Sequence, residues 1–562
     1  VTYKFNDWLS MFGRIGTDYS NQNVEMIRAY YGLNAKEGSY QVENVYRQET
    51  NADFLVTARK AISENLTVSG NFGGNIMNKK FASQASNVGR LVVPDVYAIA
   101  NAKDPATTTY YTSEKEIHSL YGSVSVDFRR QLYLEATGRN DWSSTLPTDN
   151  NSYFYPSATA SWIFSETFKL NPALFSFGKI RYGIANVGND TDPYMLSMSY
   201  AASPPYQSYP SFRPSSTLPP QNLVNELITS NELGFDLRFF SNRLGLDLTL
   251  YKSAAKNQIM NAVISNTSGF SAQTINAGRI NNKGIEIVLT GTPVQTTDFS
   301  WDITWNWSKN KSEIVELYGD IKSITIFTTY SGVDVVAPIG GAYGTMMATD
   351  FVYHENGKPM VDENGVPLRS DVKAVGNIMP DWMSGINNNF RYKSVGFSFL
   401  IDAKMGGDIF SQTNSDGFAT GVLKSTTGNN PKGNPVRDLV ENGGGYLFDG
   451  GLEDGTKNDK YLYIDDLRWT GFPTSQWIYD ASYVKLREVA LSYTLPKKLI
   501  SKIHLTNAEL SVYGRNLAIL YSNLPNVDPE VSGRDASLAQ QGYEFGSNPS
   551  ARSTGFRVKL TF

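Results

Sequence analysis

Leu233-Gly234-Phe235-Asp236-Leu237-Arg238-Phe239-Phe240-Ser241-Asn242-Arg243-Leu244-Gly245-Leu246-Asp247-Leu248-Thr249-Leu250-Tyr251 is the stretch that decides the fold. Apolar and polar residues alternate on both sides of Ser241-Asn242, and a period of two is that of a β-strand, whose side chains point by turns to opposite faces. With Ser241-Asn242 as a two-residue turn, Phe239 faces Leu244, Leu237 faces Leu246, Phe235 faces Leu248 and Leu233 faces Leu250. These apolar side chains then share one face. The other face places Arg238 beside Gly245 and diagonal to Asp247, Asp236 across from Asp247, and Glu232 opposite Tyr251. Two opposed carboxylates repel, and Arg238 within diagonal reach offsets that. One face suits lipid and the other a wet lumen, although a single hairpin of a soluble sheet with one buried face reads the same way.

Repetition separates the two readings. About sixteen segments of roughly ten residues alternate in this manner, near 6–16, 53–63, 65–75, 118–128, 131–140, 154–164, 178–187, 229–240, 243–252, 281–292, 298–309, 382–392, 395–405, 483–495, 506–516 and 553–562. Their connections alternate too, at roughly 36 residues, then two, then about 42, then two, which is the pattern of long external loops and short periplasmic turns. The expectation is an all-β, transmembrane antiparallel β-barrel. The longest connections, 312–380 and 406–481, are rich in Gly, Asn, Asp and Pro and are expected outside, and turns such as Lys393-Ser394 are expected in the periplasm. The last segment alternates Phe556, Val558, Leu560 and Phe562 and ends on an aromatic residue, as a terminal signal for outer-membrane assembly does.

Composition agrees. Hydrophobic residues are 41% of the 562 and charged residues 19%, and no apolar run approaches the roughly 18 residues of a spanning helix, so a helical membrane protein is excluded. Lys and Arg are spread along a chain of net charge −4, which leaves no basic footprint for nucleic acid. Cysteine is absent, which removes disulfides, thiolate metal sites and thiol nucleophiles together. The three histidines, His118, His354 and His504, form no i, i+4 pair. There is no GxSxG elbow, HExxH motif or phosphate-binding GKS or GKT, so no catalytic residue or cofactor is assigned and the chain is not expected to be an enzyme.

Several stretches resemble the SusC-like branch of the TonB-dependent transporters. The longest is Gly138-Arg139-Asn140-Asp141-Trp142-Ser143-Ser144-Thr145-Leu146-Pro147, followed by Asn151-Ser152-Tyr153-Phe154-Tyr155-Pro156-Ser157 and Ser161-Trp162-Ile163-Phe164-Ser165-Glu166. Others follow in order: Asn282-Lys283-Gly284-Ile285-Glu286, Pro380-Asp381-Trp382, Gly406-Gly407-Asp408, Tyr483-Val484-Lys485-Leu486-Arg487, Gly514-Arg515-Asn516-Leu517 and Asp528-Pro529-Glu530. The resemblance implies a barrel of about 22 strands closed by an N-terminal plug, so that 1–562 is the C-terminal part and the plug and about six strands lie outside it. It also implies uptake driven through TonB, a SusD-like surface lipoprotein as lid, pairing of two such complexes, and bulky cargo, oligosaccharides first and oligopeptides second. A passive sixteen-stranded porin and a secreted all-β glycan-binding protein are the alternatives.

Within this frame Trp142, Tyr153, Phe154 and Tyr155 are candidates for the external vestibule, where aromatic faces stack on sugar rings, or for interfacial anchoring. Glu232, Asp236, Arg238 and Asp247 are expected as lumen-facing charges. Glu453, Asp454, Asp459 and Asp465, among Gly and Asn, have the composition of a calcium-accepting loop but lack the spacing of one, and read first as solvated surface acids.

Overall fold

The computed structural model describes residues 1–561 except 33–34, 208, 221, 468–470, 502–504 and 532–540. Each alternating segment lies on a strand. These are β1 (Leu9–Gly32), β2 (Ala35–Ser63), β3 (Leu66–Val88), β4 (Thr107–Phe128), β5 (Leu132–Ser143), β6 (Ser152–Trp162), β7 (Phe175–Asn189), β8 (Glu226–Phe239), β9 (Leu244–Lys256), β10 (Arg279–Gln295), β11 (Phe299–Glu316), β12 (Trp382–Tyr392), β13 (Val395–Met405), β14 (Tyr483–Thr494), β15 (Asn507–Ser522) and β16 (Ser553–Thr561). The residues fall into two compact units, the first holding β1 to β6 and the second β11 to β16, while β7, β8 and β9 contribute to both.

In the second unit the antiparallel register carries one apolar row across six strands. Trp301, Phe390, Phe397, Leu491, Val512 and Phe556 are successive cross-strand partners, and Phe299, Tyr392, Val395, Tyr493, Leu510 and Val558 form the next row on the same face. One residue along, Ser300, Arg391, Gly396, Ser492, Ser511 and Arg557 make the opposite, polar face. The apolar rows are not tucked against a core: Phe556 is 81% exposed, Val512 64% and Leu491 56%. A soluble sheet would bury this face, so its exposure from Phe397 to Phe556 is what lipid requires.

The first unit repeats the arrangement. Met11, Val56, Phe72, Gly122, Gly138 and Pro156 pair across β1 to β6 on one face, and Arg14, Asp53, Asn75, Ser119, Asp141 and Tyr153 on the other. On that polar face Arg14 Nη2 lies 2.9 Å from Asp53 Oδ2, and Asn75 Nδ2 donates to Asp53 Oδ1 at 2.9 Å.

The turns follow from local chemistry. Ser241 and Asn242 both have positive φ, 56° and 65°, and Arg243 N donates to Phe240 O at 3.2 Å, the geometry of a tight turn whose twist suits a hairpin. Arg129 and Arg130 do the same between β4 and β5.

The first two long connections are different from expectation. Residues 17–52 are not a loop, because β1 and β2 stay paired from Asp18↔Glu49 up to Gly32↔Ala35, and β3 runs on to Val88. With 24 and 29 residues, β1 and β2 exceed the roughly 9–11 that cross a bilayer. Beyond the lipid band both faces are wet, so backbone pairing continues while the alternation that announces it disappears.

The connections at 312–380 and 406–481 are folded as well. Ser323–Thr328, Asp334–Pro338, Thr345–Ala348 and Lys373–Asn377 form a four-stranded sheet, and Val333, Val335, Met346, Phe351, Phe410, Phe418, Leu467, Phe472 and Trp477 pack into one core. Phe351 stacks on Phe448 at 5.7 Å and Phe418 meets Phe472 edge-on at 5.5 Å. Glycine and asparagine there serve the turns of a compact body.

Arginine at Val512, in the middle of the apolar row, is expected to destabilise the protein in lipid vesicles by about 2–4 kcal/mol, whereas arginine at Ser511, one residue along on the polar face, should cost about 1 kcal/mol or less. Urea unfolding followed by tryptophan fluorescence reads both; equal losses would contradict the assignment of faces.

Candidate functional site

The pleat sorts the longest motif into two sets. From Gly138 to Ser144, alternate residues Arg139, Asp141 and Ser143 share the polar face, and Asn140 and Trp142 the other. Arg139 Nε donates to Asp141 Oδ1 at 2.8 Å and its Nη2 to Ser119 Oγ at 2.8 Å, while the Tyr155 hydroxyl donates to Asp141 Oδ2. Asp190, nearly buried after β7, accepts from Ser143, from Thr145 Oγ1 at 3.1 Å and from Lys115. Tyr153 and Tyr155 stack with ring centroids 6.0 Å apart. Beside them a cavity of about 520 Å³ opens on the polar face, lined by Asn71, Tyr121, Glu135, Arg139 and Tyr155 among others.

The vestibule candidates therefore separate. Tyr153 and Tyr155 belong to the polar face, with Tyr153 packed on Leu146 and Leu223, whereas Trp142 and Phe154 belong to the exposed apolar face. Consecutive residues of one strand point in opposite directions, so the four cannot line one surface.

Among the expected lumen charges, Arg238 Nη2 lies 3.3 Å from Asp236 Oδ2 and its guanidinium sits 5.0 Å over the Phe177 ring. Asp247 Oδ1 accepts from Thr249 Oγ1 at 3.5 Å. Glu232 is exposed and closes the first unit's share of β8. The four acids of the proposed calcium loop are all exposed, and among the described residues no three His, Asp or Glu converge as metal ligands. His118 Nε2 lies 2.6 Å from Glu116, and His354 faces the Gly451 carbonyl at 3.3 Å; His504 is outside the described residues. Of the terminal alternation, Phe556, Val558 and Leu560 are exposed on β16, and Phe562 lies outside the described residues.

Among the described residues a dense charge cluster joins motifs to which the sequence assigned no role. Lys485 and Arg487 lie on β14, Asp402 on β13, and Asp528 and Glu530 after β15. Lys485 Nζ reaches Glu530 Oε2 at 2.6 Å and also Asp528; its side chain is 3% exposed. Arg487 donates to Glu530 Oε2 at 2.6 Å and to Asp402 Oδ2 at 2.9 Å, and the Tyr483 hydroxyl donates to Glu530 Oε1 at 3.1 Å. Burial alone would raise the Glu530 pKa, but hydrogen bonds from Arg487 and Lys485 outweigh it and hold the carboxyl down at about 2. Asp528 is likewise held below its ordinary value, its burial being outweighed by Lys485, Ser550 and the Glu530 amide. Two basic residues two apart on a strand, with Asp-x-Glu some forty residues later, were the signal available.

Geometry and pattern are matched by comparison. Residues 1–517 fit the family model described as "TonB dependent receptor-like, beta-barrel". The chain belongs to that family. It is an outer-membrane β-barrel protein. TonB-dependent receptor P3 of Formosa agariphila is 24% identical over 611 residues, covering 100% of this chain and 57% of that protein. TonB-dependent receptor SusC of Bacteroides thetaiotaomicron is 25% identical over 76% of this chain and 43% of its own length. The chain thus spans about half the length of the curated relatives it matches. Among solved structures, the RagAB peptide transporter superposes with a TM-score of 0.76 at 16% identity, covering 100% of this chain and 61% of that one, a likeness of fold.

Lys485→Met should strip Asp528 and Glu530 of a buried partner and cost about 3–5 kcal/mol, seen as faster amide hydrogen exchange across 523–531. Because the Glu530 pKa is lowered on folding, its contribution is complete above pH 4.5 and lost as pH falls toward about 2. Protection of the same amides, corrected for intrinsic exchange, is expected to fall through that window in the native protein and much less in Glu530→Gln.

Proposed function

We propose that this chain forms the wall of an active outer-membrane importer of bulky nutrients, energised through TonB and working with a SusD-like surface lipoprotein. The observation that carries the reading is the two-faced wall joined to a folded loop body: exposed apolar rows for lipid, a hydrogen-bonding polar face, and a core-bearing assembly built from 312–380 and 406–481 instead of open loops. Cargo too large for a passive pore needs a wide barrel, and a wide barrel needs a plug and an energy source to move it.

Oligosaccharides are the cargo proposed first. The polar face offers hydroxyls, amides and the cavity tyrosines Tyr121 and Tyr155, the groups that recognise sugar rings by hydrogen bonds and apolar faces. Oligopeptides are the second reading, favoured by the fold shared with a structure titled as a peptide transporter.

Cells that carry the protein are expected to take up labelled oligosaccharides only while the proton gradient and TonB are intact, with uptake falling to background when either is removed. Persistence of uptake without TonB, or steady ion conductance of the purified protein in planar bilayers, would return the passive porin as the better account.

A further inference from the structure

Lys404 stands near the end of β13, paired in register with Met383 on β12 and Tyr483 on β14. It shares the polar face with Asp402, two residues away, yet stays outside the ion network just described. Among the described residues Lys404 makes no ion pair and no hydrogen bond. Its side chain lines a cavity of about 340 Å³ together with Met379, Met383, Tyr483, Asp408 and Glu530. That volume is at the small end of ligand pockets, about 300–1,000 Å³, and suits one residue of a polymer.

Both carboxylates of the cavity are committed elsewhere. Glu530 is held by Lys485, Arg487 and the Tyr483 hydroxyl. Asp408 Oδ2 accepts the Asn377 amide at 2.8 Å, and burial together with the nearby Asp480 and Asp381 raises its pKa. A half-buried ammonium with no ion pair or hydrogen bond among the described residues, whose facing carboxylate Glu530 is already bound to Lys485 and Arg487, and which is walled by two methionines and a tyrosine ring, is a site for an anion with an apolar flank.

We propose that Lys404 is a specificity-determining residue that takes a carboxylate of the cargo, so that the protein prefers acid-bearing oligomers over neutral ones of the same length. The proposal rests on the import reading. The carboxylate has two sources, a uronic acid of a glycan or the C-terminus of a peptide, and the chemistry Lys404 reads is the same.

Four probes separate them: a uronate-terminated oligosaccharide, its neutral methyl ester, an oligopeptide with a free C-terminus and the same peptide amidated. Binding to the purified full-length transporter and uptake by cells are measured for the native protein, Lys404→Met and Lys404→Arg. Within one pair the acid should bind about tenfold more tightly than its neutral partner, consistent with a charge-assisted hydrogen bond. Lys404→Met should abolish that preference while leaving the neutral probe unchanged, which also reports that the variant is folded, and Lys404→Arg should keep most of it. The pair that shows the preference names the source. If neutral probes are taken up but neither acid gains, or if the preference survives in Lys404→Met, this proposal is overturned and the import reading stands. If the native protein takes up none of the four, both fall.

Discussion

A strand placed in lipid finds no water for its backbone, so every amide and carbonyl has to be met by a neighbouring strand in register. The structure is governed by that constraint. From β11 to β16 and again from β1 to β6, pairing runs unbroken across the strands, apart from bulges such as the one between Leu400 and Ile401. Because side chains alternate, a slip of one residue in any pair would turn a row such as Phe397, Leu491, Val512 and Phe556 toward water and drive Arg391 and Arg557 into lipid. The same register that satisfies the backbone therefore fixes which face is apolar, and the polar chemistry of the opposite face is positioned as a consequence.

Above the lipid the constraint relaxes, and different forces take over. The loop body of the second unit is held by an ordinary aromatic core around Phe418, Phe472 and Trp477. It is also tied to the connection after β15, where Asn414 Nδ2 donates to the Pro525 carbonyl at 3.0 Å, and that connection is tied to the wall by Lys485 and Arg487 of β14, which grip Asp528 and Glu530. Removing such charges from water is costly, and the Coulomb gain alone does not guarantee net stability. What the cluster does supply is direction, because the placement of 528–530 has to bring Asp528 to Lys485 and Glu530 to both Lys485 and Arg487. The network fixes the connection after β15 against β13 and β14.

How much of this was legible in the sequence follows the same division. Where one face meets lipid, alternation is strict, and Phe235, Leu237 and Phe239 or Phe556, Val558 and Leu560 could be read directly as strands. Where both faces are wet, as from Asp18 to Gly32, the strand persists on hydrogen bonds alone and polar residues conceal it. The loop body was hidden for a related reason: its core residues, from Val333 to Trp477, are brought together by tertiary contacts and have no common period. Of the site, the acidic and basic residues could be seen, but not which would meet. Lys485 and Asp528 are 43 positions apart, and Asp402 and Arg487 are 85 apart. The tyrosines and tryptophan after Gly138 could be seen as well, and their division between faces was implicit in the same alternation.

Pairing also sets what the polar face can offer a passing solute. Arg14 is matched by Asp53, Arg139 by Asp141, Arg487 by Glu530 and Arg515 by Glu488. A solute that competed for one of these charges would have to strand its partner, which costs more than the new contact returns unless the solute satisfies both. Matched pairs therefore present a hydrogen-bonding surface with little appetite for net charge. Lys404 differs because it is already half-buried in the folded wall and, among the described residues, no ion pair has to be broken to reach it. The discrimination between acidic and neutral solutes proposed for Lys404 rests on that difference.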